Sequence, residues 1–77
     1  MKKAQVDYKN KLRRLLKGLR EETKLSQEAF ADKIGINRTY YGNVERGENS
    51  ISIDKLQSIS RKLDIPLSEL FKQMESL

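Results

Sequence analysis

A chain of 77 residues with 16 Lys/Arg, 11 Asp/Glu, no His and no Cys carries a net charge of +5. Those counts exclude disulfides, thiolate chemistry, histidine base catalysis and any metal site not built from carboxylates alone. They bound the chain to one domain over residues 1–77, whose small core makes self-association a natural supplement.

The basic excess is confined to one end. Residues 1–24 hold nine Lys/Arg (Lys2, Lys3, Lys9, Lys11, Arg13, Arg14, Lys17, Arg20 and Lys24) against Asp7, Glu21 and Glu22, a local charge of +6. Such a segment suits a phosphate-rich partner, and equally a solvated helix face. In the same segment Leu12, Leu15, Leu16 and Leu19 recur at i, i+3, i+4 and i+7, which predicts a first helix over about residues 5–23. Gly18 interrupts it at a cost of about 1 kcal/mol against Ala, as if to admit a close neighbour. Met1-Lys2-Lys3 leads into no signal-peptide core and no apolar run reaches membrane-spanning length, so a cytoplasmic protein without membrane contact is expected.

Ser26 is a helix N-cap by chemistry, and the second helix runs from Gln27 to about Lys33, with Phe30, Ala31 and Ile34 inward. Gly35 stops it, and after Ile36 alone Asn37 caps a third helix that reaches about Arg46 and ends at Gly47. The stretch Gly47-Glu48-Asn49-Ser50 reads as a loop. A fourth helix starts near Ser52 with Ile53, Leu56, Ile59 and Leu63 as its apolar stripe. Asp64-Ile65-Pro66 breaks it, and Pro66 opens a fifth helix carrying Leu67, Leu70, Phe71 and Met74. No strand pattern or repeat appears, so the expected fold is all-α with five helices. Leu12, Leu16, Leu19, Phe30, Ile34, Val44, Ile53, Leu56 and Ile59 form its expected core.

The third helix carries the chemistry. At about 100° per residue, Arg38, Thr39, Gly42, Asn43 and Arg46 fall on one arc, with Tyr41 and Val44 on the inward one. The outer arc bears no apolar side chain. Arg can donate twice to guanine O6 and N7, Asn can pair with adenine N6 and N7, and Thr offers a hydroxyl and a methyl. Gly42 would let the backbone come close. A plain solvated face has the same composition, and the tight Gly35 turn before the helix, with the basic first helix, favours a DNA reader.

The run from Leu25 to Gly47, LSQEAFADKIGINRTYYGNVERG, resembles the helix-turn-helix of the phage repressor and Cro family. The similarity continues from Ile53 to Phe71, and Asn37-Arg38-Thr39-Tyr40 is most similar to the controller proteins of restriction–modification systems. The resemblance implies a bacterial or phage-encoded transcriptional regulator of double-stranded DNA. Arg38, Thr39, Asn43 and Tyr40 would touch bases, while Gln27, Arg46, Asn49 and Lys55 would touch phosphates. It implies a structural ion pair between Arg20 and Glu45, and a homodimer on a palindromic operator. Gly42 departs from the family's usual small polar residue there, and Glu48 from its more basic loop.

Ile65, Leu67, Leu70, Phe71 and Met74, with Leu77, exceed what one short helix buries against its own domain, and they are the expected dimer surface. No enzyme is expected, since Asp32, Asp54 and Asp64 show no paired arrangement and the chain is too short for a lined pocket. No metal, cofactor or small-molecule ligand is expected. An antitoxin-type module that also binds its own promoter is the alternative, without a tail to wrap a toxin. A membrane-binding basic helix is disfavoured, because the leucine stripe is needed by the core.

Overall fold

The computed structural model describes the backbone from Lys3 to Leu77 and side chains from Tyr8 onward. Lys2 lies outside the described residues, as do the side chains of Lys3 and Asp7. Five helices make up the described chain: α1 (Lys3–Thr23), α2 (Gln27–Ile34), α3 (Arg38–Glu45), α4 (Ile53–Leu63) and α5 (Leu67–Glu75). Helix α1 begins two residues before the expected start, and no strand occurs among the described residues.

Local chemistry sets the joints. The Ser26 hydroxyl accepts from the Ala29 N–H at 3.1 Å, satisfying a free amide of the first turn of α2. Gly35 closes α2 at φ 76°, a left-handed conformation in which a Cβ is strained. That geometry lets the Ile36 N–H reach back to the Ala31 carbonyl at 2.9 Å. The Asn37 side chain then accepts from Thr39 N–H (2.9 Å) and Tyr40 N–H (3.1 Å), so α3 restarts almost at once in a new direction. Only the buried Ile36 lies between the two caps, and this short joint fixes the angle between α2 and α3.

The leucine stripe of α1 is buried against Phe30, Ile34, Tyr41, Val44, Leu56 and Ile59. Helix α3 packs on α1 and α2, α4 on α2, and α5 on α1 and α4. Ile53 corrects the expected core: it is 51% exposed, while Ile51 is buried. The reason is the cap. Ser52 accepts from Lys55 N–H at 3.2 Å, so Ile53 is the first residue of the helix and turns outward. Ile51, just before the cap, is buried as Leu56 is, an arrangement that fixes how the chain enters a helix. Gly18 differs too, since no group comes within 4 Å of where its Cβ would stand.

Helix α5 revises the expected dimer surface. Leu70 and Met74 are 0% and 4% exposed and belong to the domain's own core. They lie four residues apart on the inward stripe of α5. Ile65, Leu67 and Phe71 pack against the core but stay partly open, and Leu77 is exposed.

Candidate nucleic-acid interface

The face formed by the start of α2 and the outer side of α3 is a shallow cleft lined by Ser26, Gln27, Glu28, Arg38, Thr39, Gly42 and Arg46. Arg38, Thr39 and Arg46 are exposed, and Asn43 is half-buried. The side chains with hydrogen-bonding reach are therefore turned to solvent, while Tyr41 and Val44 on the opposite side are fully buried. Asn43 Oδ1 accepts from Arg46 Nη2, which ties two members of the arc together one helical turn apart. Arg46 Nε also stands 3.5 Å from Glu48 Oε2.

Gly42 makes room for its neighbours. A Cβ there would come within 3.3 Å of Arg46 Nη1 and 3.6 Å of Gln27 Oε1, so both side chains lie across the bare helix backbone. Gln27, the first residue of α2, donates from Nε2 to Glu45 Oε1 at 2.9 Å. It links the outer face to the interior.

Beneath it lies a charged knot. Arg20 Nε and Nη2 donate to the two oxygens of Glu45 at 2.7 and 3.1 Å, a bidentate pair, and Arg20 Nη1 donates to the Leu25 carbonyl at 3.1 Å. The buried Tyr41 hydroxyl donates to Glu45 Oε2 at 2.5 Å. Glu45 is 7% exposed. Burial pushes its carboxyl up, but the bonds from Arg20, Tyr41 and Gln27 outweigh that and hold it below the ordinary carboxylate range. Burial first, and then the bond to Glu45, pushes the Tyr41 phenol far above its ordinary value. The knot ties α1, α2 and α3 together directly behind the exposed arc.

Tyr40 departs from a free base-contacting role. Its hydroxyl donates to the Ser50 carbonyl and the residue is half-buried, so the phenol anchors the loop after α3. The Tyr8 hydroxyl donates to the next carbonyl, that of Ile51, at 3.1 Å. Burial raises the Tyr8 phenol above its ordinary value. Two phenols from different helices thus hold consecutive carbonyls of one loop. Asn49 is half-buried in that loop, its N–H reaching the Asn43 carbonyl at 3.3 Å, and Lys55 is exposed on the first turn of α4.

Two features of this face were not read from the sequence. Arg38 Nη2 is paired with Glu28 Oε2 across the cleft. Arg13 lies over Gly47, its Cδ 3.3 Å from where a Cβ would stand, and its Nε donates to Asn10 Oδ1 at 2.8 Å. The charge excess of the first 24 residues pointed to α1, but not to which of its cations meets the loop. No group of His, Cys, Asp and Glu among the described residues has the arrangement to hold a metal ion. No described helix is long and apolar enough to cross a membrane.

Residues 16–70 match the helix-turn-helix family. The chain is 44% identical over 75 residues to the control protein C.MunI of Mycoplasma sp, covering 97% of each chain. It is 32% identical over 65 residues to the control protein C.SmaI of Serratia marcescens, covering 84% of this chain and 77% of the relative. An immunity repressor protein of Bacillus phage phi105 is 31% identical over 55 residues, 71% of this chain and 38% of that protein.

Proposed function

From the premise that the chain belongs to the helix-turn-helix family and is a DNA-binding transcriptional regulator, not an enzyme, we propose that it is the dimeric controller of a restriction–modification operon. It binds a palindromic operator, one protomer to each half-site. Support for the controller reading over a phage-type repressor comes from coverage: the similarity to a control protein runs over 97% of both chains, that to the immunity repressor over 38% of the latter.

One observation carries the DNA reading. The outer arc of α3 presents Arg38, Thr39, Asn43 and Arg46 with no apolar side chain among them, on a helix whose opposite side is locked into the core. An α-helix fits the major groove, and these are the side chains that match base edges there. In this reading Arg38, Thr39 and Asn43 meet bases, and Gln27, Arg46, Asn49 and Lys55 meet phosphates. Tyr40 positions the loop and reaches the DNA by its ring edge alone. The dimer forms through the corner of α4 and α5, where Ile65, Leu67 and Phe71 stay partly open.

The test is direct. A duplex recovered by in vitro selection with the intact protein is compared with its scrambled counterpart by fluorescence anisotropy. Arg38→Ala is expected to weaken the selected duplex by about 1 to 3 kcal/mol and the scrambled one far less. Equal loss on both reduces Arg38 to a phosphate contact.

A further inference from the structure

We propose that Glu28 sets the sequence discrimination of this protein, by neutralising Arg38 toward phosphate while leaving it able to read guanine. The inference rests on Arg38 being the base reader proposed above.

Arg38 opens α3 and Glu28 lies in the first turn of α2. Their side chains meet as an ion pair across the cleft, and they are 62% and 53% exposed. So open a pair adds little to folding stability. Nothing in the core requires it. Its position is costly for DNA binding in general, because a carboxylate on the face that approaches the duplex repels every phosphate whatever the sequence. The other charged side chain lining the cleft is Arg46, whose guanidinium is engaged with Asn43 and Glu48. Glu28 therefore acts on Arg38.

The two ligands of Arg38 on DNA differ in kind. Phosphate attracts a guanidinium by charge and makes no demand on the base sequence. Guanine offers two neutral acceptors, O6 and N7, in a geometry that matches the guanidinium fork. Pairing with Glu28 cancels most of the charge that phosphate would attract. It leaves the fork usable, since a guanidinium has five N–H donors and one edge can stay on the carboxylate while another faces the base. Non-cognate DNA loses the attraction and cognate DNA keeps the readout. The same logic explains why an acidic residue is compatible with a basic binding face.

The experiment compares the wild type, Glu28→Gln, Arg38→Ala and the double variant on the selected and scrambled duplexes across a salt series. Both side chains are exposed, and circular dichroism verifies the fold of each variant. Glu28→Gln is expected to tighten the scrambled duplex about two- to fivefold, as expected for release of an exposed ion pair, and the selected duplex by clearly less. The salt slope on scrambled DNA should steepen by about 0.9, one additional phosphate contact. In the Arg38→Ala background the same substitution should shift both duplexes alike and leave that difference in slope absent. An equal shift on both duplexes in the wild-type background, or the same effect with and without Arg38, overturns the proposal. Equal loss from Arg38→Ala on both duplexes overturns the base-reader assignment and this inference together. Selective loss from Arg38→Ala with no coupling to Glu28 overturns this inference alone.

Discussion

Single residues on the exposed arc of α3 are held from behind. Glu45 receives Arg20, Tyr41 and Gln27, so every lone pair that faces the interior has a donor. Removing one partner leaves charge in a site that water hardly reaches, which costs far more than the pair's net contribution. Arg20→Ala is expected to destabilise the fold by on the order of 3 kcal/mol. Tyr41→Phe, which deletes a hydroxyl bonded to a carboxylate, should cost about 1.5 to 3 kcal/mol. Urea unfolding of the two variants checks both, and a Tyr41→Phe variant as stable as the wild type would remove the phenol from the knot. Pairing at this scale was poorly legible in the sequence. Arg20 and Glu45 were named only through the family resemblance, and Glu28 with Arg38 not at all. The members of each pair sit on different helices, and whether they meet depends on a crossing angle that no local pattern encodes. Tyr40 shows the same limit: the resemblance implied a base contact, but nothing local told of the carbonyl that captures its hydroxyl.

Helices, by contrast, were legible nearly to the residue. Ser26, Gly35, Asn37 and Ser52 stand at helix boundaries because they satisfy amides and carbonyls within a turn of themselves, and Pro66 stands at one because its ring fixes φ, at −56° here. Ile53 escaped because it lies three residues before Leu56 and fits the apolar spacing, while the cap at Ser52 decides which way it points. Asn37 is the cap with the most to hold, accepting from two amides of α3. Asn37→Ala is expected to cost about 1 kcal/mol in thermal unfolding. Gly18 gives the opposite prediction. It sits inside α1 with open space around its absent side chain, so nothing offsets its low helix propensity. Gly18→Ala should stabilise the protein by about 0.8 to 1 kcal/mol, raising Tm by about 4 to 8 °C. An unchanged Tm would show that the bare surface serves some contact made outside this chain.

For the whole molecule, the proposed dimer raises the question of how two copies would fit one operator. The domain measures 36 × 25 × 22 Å. Its shorter dimensions fit within the 34 Å or so that separates successive major grooves on one side of a duplex. Counting apolar residues in the last helix suggested a surface but could not say which were spare, since Leu70 and Met74 turn out to line the helix's inward stripe. The interface proposal therefore narrows to Ile65, Leu67 and Phe71. Leu67→Glu combined with Phe71→Glu is expected to shift the protein from dimer to monomer in analytical ultracentrifugation with its helical circular dichroism kept. Leu70→Glu should instead unfold it. A wild type that sediments as a monomer at micromolar concentration would sink this arrangement. On DNA, Lys55→Ala should weaken selected and scrambled duplexes alike and flatten the salt slope by about one per protomer, as for a lost phosphate contact.

The knot behind α3 also contributes stability that is lost at both ends of the pH scale. Glu45 ionises more readily folded than unfolded, so the unfolded chain takes up the proton first on acidification. The stability it contributes is whole above the unfolded value of about 4.3 and drains away as pH falls through the lower folded value. Tyr41 runs the other way. Its phenol keeps its proton longer in the fold, so its contribution is whole below about pH 10 and is lost as pH climbs toward the raised folded value. Acid and base therefore attack the same few atoms from opposite sides. Thermal melts from pH 3 to pH 11 should show an acid limb that Glu45→Gln flattens and an alkaline limb that Tyr41→Phe flattens. Because the knot ties the two helices that frame the cleft to α1, DNA binding should fail along the same two limbs as folding.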